Sequence, residues 1–141
     1  MIPRIVLDTN VIIAALRSKQ GASFKLLSLI GMGKFDLDLS VHLILEYEDV
    51  AKRQARSLRL SHKTIDNILD YLCQVGEWRR IFFLWRPLLK DPKDDMVLEL
   101  AVEASCEYIV TFNRKDFVGA EQFGLQVIAP KDFLRVIGEL S

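Results

Sequence analysis

A chain of 141 residues has room for one domain of ordinary size with a buried core, so we expect a single domain over residues 1–141. Half of the residues are hydrophobic and 27% are charged, which excludes a disordered or low-complexity protein. Because 19 Lys and Arg balance 19 Asp and Glu, no overall basic charge marks a nucleic-acid binder, and any electrostatic function must arise from where the charges lie.

Hydrophobic periodicity predicts strands that alternate with helices from the first residues onward. A β-branched run stops at Asp8-Thr9-Asn10, which is typical of a buried strand that ends at a helix cap. Ser40 and Ser61 are each suited to cap a helix. The predicted elements of the first half are a strand at 2–7, helices at 10–16 and 22–32, a strand at 36–40, a helix from 41 towards 58, and a helix at 61–75.

The second half repeats this alternation. Asp91-Pro92 predicts a helix start, because Asp caps well and the missing N–H of proline costs nothing at the first helical position. This helix is expected to reach about residue 106, and a last helix to follow Pro130. The strands predicted in this half are at 81–84, 108–111 and 126–128. Such βαβ units predict a mainly parallel sheet with helices on both faces.

Acidic and amide side chains fall where a parallel sheet would bring them together. In such sheets the ligand site lies beyond the carboxyl ends of the strands, near the point where the strand order reverses. Polar residues follow the first strand and the strand at 108–111, and Asp94 opens the helix between them in sequence. Glu46 lies three residues after Leu43 and four before Val50, which turns it towards the apolar side of its helix.

Each of these residues also has an ordinary structural interpretation. Asp8 and Asp94 are suited to helix capping, Asn113 to a turn, and Glu46 to the rim of the core. Their co-occurrence favours a function, because carboxylates at one sheet edge raise each other's pKa and a bound cation removes that penalty. Oxygen ligands without paired His or Cys suit Mg²⁺ or Mn²⁺ rather than Zn²⁺. The chemistry of such a site is phosphodiester hydrolysis, which makes the chain a candidate nuclease.

Four segments of the chain resemble, in order, the acidic motifs of the PIN domain. They are 6–10, 45–47, 91–101 and 111–117. The likeness runs from about residue 2 to 133 and is greatest to PIN proteins that serve as toxins of type II toxin–antitoxin modules, including the VapC-type ribonucleases. It implies an α/β three-layer sandwich with a five-stranded, mainly parallel sheet flanked by helices. It also implies an Mg²⁺- or Mn²⁺-dependent endoribonuclease with a cognate antitoxin and a homodimeric state. A cytoplasmic location is expected from the two cysteines, which form neither a disulfide framework nor a Cys-x-x-Cys pair.

The resemblance also assigns roles by position. It makes Asp8, Glu46, Asp94 and Asp116 the catalytic and metal-binding residues, and Asn10, Thr111, Asn113 and Asp95 supporting ones. Asp94 is preferred to its neighbour as the metal ligand because the family often has a non-acidic residue at the following position. Many relatives carry Asp at the position of Asn113, so here the fourth carboxylate is assigned to Asp116 alone.

A basic segment lies between residues 52 and 63, with five Lys or Arg and no acid. Four of them step by 4, 3 and 4 residues, which would place them on one face of an unbroken helix. Such a face could contact RNA phosphates or an acidic antitoxin segment, or simply be solvated. The candidate RNA-binding residues are Lys52, Arg56, Arg59 and Lys63.

Three functions therefore remain open on the sequence. The first is a metal-dependent endoribonuclease that acts as a toxin. The second is a structure-specific DNA nuclease, because no residue identifies a contact to the 2′-OH of RNA. The third is a PIN-like binding module for nucleic acid or protein whose active site has decayed, although the four intact acids argue against decay. Without a stretch of roughly 18 apolar residues, we expect no membrane contact.

Overall fold

The computed structural model describes residues 2–81 and 89–140. Within these ranges the strands are β1 Arg4–Leu7, β2 Asp36–Leu39, β3 Glu77–Trp78, β4 Tyr108–Val110 and β5 Gln126–Ile128. The α-helices are α1 Thr9–Arg17, α2 Ala22–Ser28, α3 Val41–Arg53, α4 Ala55–Leu58, α5 His62–Val75, α6 Pro92–Glu103 and α7 Pro130–Val136. Two short 3₁₀ helices, Arg114–Phe117 and Ala120–Phe123, connect β4 to β5. None of the described helices is long and apolar enough to span a membrane.

The five strands form one sheet in the order β3-β2-β1-β4-β5, and all neighbouring pairs are parallel. The chain adds β2 and β3 on one side of β1 and then returns to add β4 and β5 on the other. The strand order therefore reverses between β1 and β4, whose registers end with Leu7 beside Val110. This confirms the predicted α/β fold and makes the two strands that precede the polar segments direct neighbours.

The core surrounds β1. Ile5, Val6 and Leu7 are all fully buried, although successive side chains of a strand point to opposite faces of the sheet. Both faces must therefore be covered, as the three-layer prediction required. The capping predictions also hold: Ser40 accepts a hydrogen bond from Leu43 N at 3.2 Å, and Ser61 accepts one from Thr64 N at 3.0 Å.

Two predicted helix ends were wrong, and the structure contains a strand that was not predicted. The second helix ends at Ser28 because the chain turns through Gly31, whose φ of 83° favours glycine. The helix predicted from 41 towards 58 breaks at Gln54, with no glycine or proline to mark the break. The third strand lies at Glu77–Trp78, immediately after the α5 helix; Ile81 is not in a strand, and 82–84 lie outside the described residues.

Candidate active site

The carboxylate of Asp8 is held between the ends of β1 and β4. Asp8 caps α1, and its Oδ1 accepts a hydrogen bond from Thr9 N at 2.8 Å. Its Oδ2 accepts one from the hydroxyl of Thr111 at 2.7 Å. Thr111 directly follows β4 and is fully buried. Asp8 is thus a helix cap, as its simplest interpretation predicted, and also a fixed carboxylate at the switch point of the sheet.

The hydroxyl of Thr111 joins the supporting residues to Asp8. Because its single proton is donated to Asp8, its oxygen is left to accept from Asn10 Nδ2 at 3.2 Å and from Asn113 N at 3.0 Å. Asn10 Oδ1 in turn accepts from Phe112 N at 3.4 Å. The side chain of Asn113 is not the bonded group here, since the interaction uses its backbone N–H. This network fixes the orientation of Asp8.

Helix α3 brings Glu46 to the same edge of the sheet. The next residue, Tyr47, is fully buried, and its hydroxyl donates to the backbone carbonyl of Leu7, which precedes Asp8. Burial, and secondarily the charge of Asp8, raises the pKa of Tyr47 well above its usual value, so it remains a donor. Glu46 itself is mostly covered and forms an ion pair with Lys93 Nζ at 3.5 Å.

The adjacent acids Asp94 and Asp95 have different environments at the start of α6. Burial, and then the charges of Asp8 and Asp116, raises the pKa of Asp94 to about 7. Asp95 is buried, and its Oδ1 accepts a hydrogen bond from Leu89 N at 2.9 Å. Asp94 is therefore the member of the pair whose pKa is raised by the other carboxylates. Asp95 instead binds the backbone at Leu89, just before the helix.

Asp8, Glu46, Asp94 and Asp116 form an electrostatically coupled set that we call the acidic cluster. Burial raises the pKa of Asp8, its hydrogen bonds to Thr111 and Thr9 oppose this, and the charges of Asp116 and Glu46 raise it further. The described residues contain no group of three or more His, Cys, Asp or Glu side chains already close enough to hold a metal ion. The donor set nevertheless fits a divalent cation, because oxygen ligands suit Mg²⁺ and Mn²⁺ and a cation would relieve the repulsion.

Two openings adjoin the acidic cluster. The larger, which we call the aromatic groove, has a volume of about 810 Å³ and includes Phe112, Asn10 and Glu46 in its lining. The smaller, which we call the lysine pocket, has a volume of about 480 Å³ and includes Asp94 and Asp116. Lys90 and Lys115 also line the lysine pocket. Glu46 is thus reached from one opening, and Asp94 and Asp116 from the other.

The predicted single helix face of the basic segment is wrong. The chain leaves the helical conformation at Gln54, and Arg59 is left-handed with a φ of 58°. Lys52 forms ion pairs with Glu48 at 2.9 Å and Asp66 at 2.7 Å, so its ammonium group serves to join α3 to α5. Arg56, Arg59 and Lys63 are exposed. These three residues, without Lys52, remain candidates for phosphate contact.

Sequence reasoning missed the contributions of Tyr47 and Lys93. A signal for Tyr47 was available, because it lies four residues after Leu43 on the buried face of α3, and a buried hydroxyl requires an acceptor. Lys93 lies in the first turn of α6, where its sequence neighbours suggest only helix capping. Its pairing with Glu46 depends on the packing of α6 against α3, which no local pattern encodes.

Comparisons with known proteins agree with this architecture. The sequence profile of the PIN domain matches residues 4–115, which is most of the chain. No curated protein is significantly similar. The crystal structure of VapBC2 from Rickettsia felis, bound to a DNA fragment from their promoter, has a chain of similar fold with a TM-score of 0.60 at 14% identity. That match covers 88% of this chain and 96% of the other. The chain therefore belongs to the PIN domain family.

Proposed function

We propose that this protein is a metal-dependent endoribonuclease and the toxin of a toxin–antitoxin pair. The observation that carries the proposal is the acidic cluster at the sheet's switch point, where burial and then the charges of Asp8 and Asp116 raise the pKa of Asp94 to about 7. Repulsion among these acids costs the fold stability. Membership of a family whose members are generally nucleases supports hydrolysis as the reason for keeping them.

In this proposal, Asp8, Glu46, Asp94 and Asp116 hold Mg²⁺ or Mn²⁺. The cation, when bound, activates water and stabilises the charge that develops on the phosphodiester. The chain's own residues keep the ligands in place. The Thr111 hydroxyl fixes one oxygen of Asp8, and Tyr47 ties α3 to the end of β1. Lys93 balances the charge of Glu46.

RNA is the proposed substrate and a protein antitoxin the proposed partner. The resemblance to VapC-type ribonucleases supports RNA, and the similar fold of a chain in the VapBC2 complex supports an antitoxin. Exposed Arg56, Arg59 and Lys63 are proposed to contact phosphates, since their charges have no ion pair among the described residues. A homodimer is the state that the resemblance implies, and a cytoplasmic location is the one expected from the two cysteines.

Cleavage assays with paired substrates test the proposal. We expect the wild-type chain to cut a single-stranded RNA oligonucleotide in Mg²⁺ or Mn²⁺, to stop when EDTA is added, and to leave the DNA of the same sequence intact. Asp8→Asn should be inactive. Asp49→Asn is the matched control, because Asp49 is an exposed acid on α3 that pairs with Arg53 and lies outside the acidic cluster.

Each other outcome selects a different function. Equal or preferred cleavage of DNA would make the protein a DNA nuclease. Binding of RNA without cleavage in either metal would identify a decayed binding module. Activity that persists in Asp8→Asn, with contaminating nuclease excluded, would contradict the proposed site.

A further inference from the structure

We propose that Phe112 is a stacking platform for one nucleobase of the RNA strand, next to the phosphate that is cut. This rests on the proposed ribonuclease function and adds a residue that positions the substrate. An exposed aromatic ring can stack on any base, because every base has a π-face.

Phe112 is exposed at a place where its backbone is fixed. Phe112 is 51% exposed, although the preceding Thr111 is fully buried. Its N–H donates to Asn10 Oδ1 at 3.4 Å, and Asn10 also donates to the Thr111 hydroxyl that holds Asp8. The ring is therefore attached to the same network that orients a carboxylate of the acidic cluster. A base stacked on it would lie beside that cluster.

The aromatic groove has the properties that a base requires. Among the described residues that line the groove, Phe112 is the one aromatic residue. Ile13, Val50 and Ala129 supply further apolar surface. Asn10 and Glu46 lie in the same lining and connect it to the acidic cluster. A volume of about 810 Å³ is within the usual range for pockets that hold small organic groups.

The charges favour an anionic strand over an apolar protein segment as the occupant. Arg17 and Lys131 line the aromatic groove, and both are exposed. Lys90 and Lys115 line the lysine pocket beside Asp94 and Asp116. Cations thus line both openings, as a phosphodiester backbone that runs from one to the other past the acidic cluster would require.

The test is a double-mutant cycle in which the Phe112 ring and single RNA bases are removed separately and together, and the affinity for RNA is measured. All four proteins compared carry Asp94→Asn to prevent cleavage, and the probe is a fluorescein-labelled single-stranded RNA dodecamer with one abasic site moved along it. We expect Phe112→Leu to weaken binding of the intact RNA about tenfold and Phe112→Trp to preserve it. One abasic position should weaken binding to the Phe112 protein by a similar factor and have little effect on Phe112→Leu. Phe123→Leu, another exposed Phe away from both openings, should bind like its parent.

Several results would overturn the inference. Unchanged RNA affinity in Phe112→Leu would do so. An abasic site that weakens RNA binding equally in the Phe112 protein and in Phe112→Leu would do so as well. If Phe112→Leu bound RNA normally but no longer bound a protein inhibitor, the groove would be a protein docking site instead. Wild-type cleavage of RNA with no effect of Phe112→Leu would defeat only this inference, whereas a wild-type chain that neither binds nor cuts RNA would defeat the proposed function.

Discussion

Thr111 shows how a single residue can organise the site. Its hydroxyl donates to Asp8 and accepts from Asn10 and from the backbone of Asn113. It lies directly after β4, so the end of that strand determines the orientation of a carboxylate at the end of β1. The sequence identified Thr111 and Asn10 as polar support, but the direction of each hydrogen bond depends on the pairing of β1 with β4.

Thr111→Val tests this orienting role. Valine has a similar shape, so we expect the fold to survive while the hydrogen bond to Asp8 is lost. Cleavage or metal affinity should fall by about 10- to 100-fold, the usual cost of losing a residue that orients a metal ligand. Single-turnover cleavage across a metal titration measures both quantities. Wild-type rates and metal dependence in Thr111→Val would show that Asp8 does not need the hydroxyl.

The matched pair Asp94→Asn and Asp95→Asn tests which acid serves the chemistry. Asp94→Asn should lower the cleavage rate by at least about 100-fold, because it removes a proposed ligand rather than its support. Asp95→Asn should retain activity, since Asp95 binds Leu89 N. Asp95→Ala, which removes the oxygen that accepts from Leu89 N, should cost about 1–3 kcal/mol of stability, measured by urea denaturation. An inactive Asp95 variant beside an active Asp94 variant would reverse the assignment.

The elements show which parts of the fold are encoded locally. Strands β1, β4 and β5 and the start of α6 were predictable, because β-branched runs and the Asp91-Pro92 cap are local signals. The α3–α4 break was not, since 52–58 consists of ordinary helix formers and the buried side chains of Ala55 and Leu58 determine how the chain packs. Strand β3 was missed because it has two residues, both exposed, and therefore no apolar pattern.

The same break changes the prediction for the basic segment. Arg56→Glu with Arg59→Glu should weaken RNA binding and reduce its dependence on salt, by about 0.7 in log–log slope for each lost phosphate contact. Lys52→Gln is the contrasting variant, since its ammonium already pairs with Glu48 and Asp66 and its loss should leave the slope unchanged. Fluorescence anisotropy in a salt series measures the slopes. Unchanged slopes in the double variant would exclude phosphate contact by these residues.

Across the whole molecule, the negative charge of one buried acid is paired with two cations, whereas the negative charge of the acidic cluster is paired only in part. Asp38 is fully buried in β2, where it pairs with Arg4 at 2.9 Å and Arg79 at 3.2 Å and accepts a hydrogen bond from the Cys106 thiol at 3.1 Å. Among the described residues, the acidic cluster forms one ion pair, between Glu46 and Lys93. The net charge of zero thus conceals a local excess of negative charge at the carboxyl ends of β1 and β4, where the strand order reverses.

This excess predicts a pH dependence for the metal-free protein. The pKa of Asp94 is about 7 in the folded protein and about 4 when unfolded, so folding retains a proton that the unfolded chain releases. The stabilising effect of that proton is complete below about pH 4 and is lost as the pH rises through 7. The stability of Asp94→Asn relative to wild type should therefore increase from pH 4 to 7 and level off above it. Urea denaturation in EDTA measures this difference, and a constant difference across that range would contradict the raised pKa.

The central claim is that the acidic cluster is a divalent cation site. It is tested most directly by thermal melts of wild type and Asp94→Asn during a Mn²⁺ or Mg²⁺ titration. Without metal, Asp94→Asn should melt higher because one repelling charge is gone, whereas Asp38→Asn should melt lower because it removes the partner of Arg4 and Arg79. Metal should stabilise wild type by about 2.7 kcal/mol at 100 times its Kd and Asp94→Asn much less, so the two curves should cross. A lower metal-free melting temperature for Asp94→Asn, with wild-type stabilisation by metal, would contradict the claim and leave Asp94 as a structural acid in the first turn of α6, which Asp91 caps.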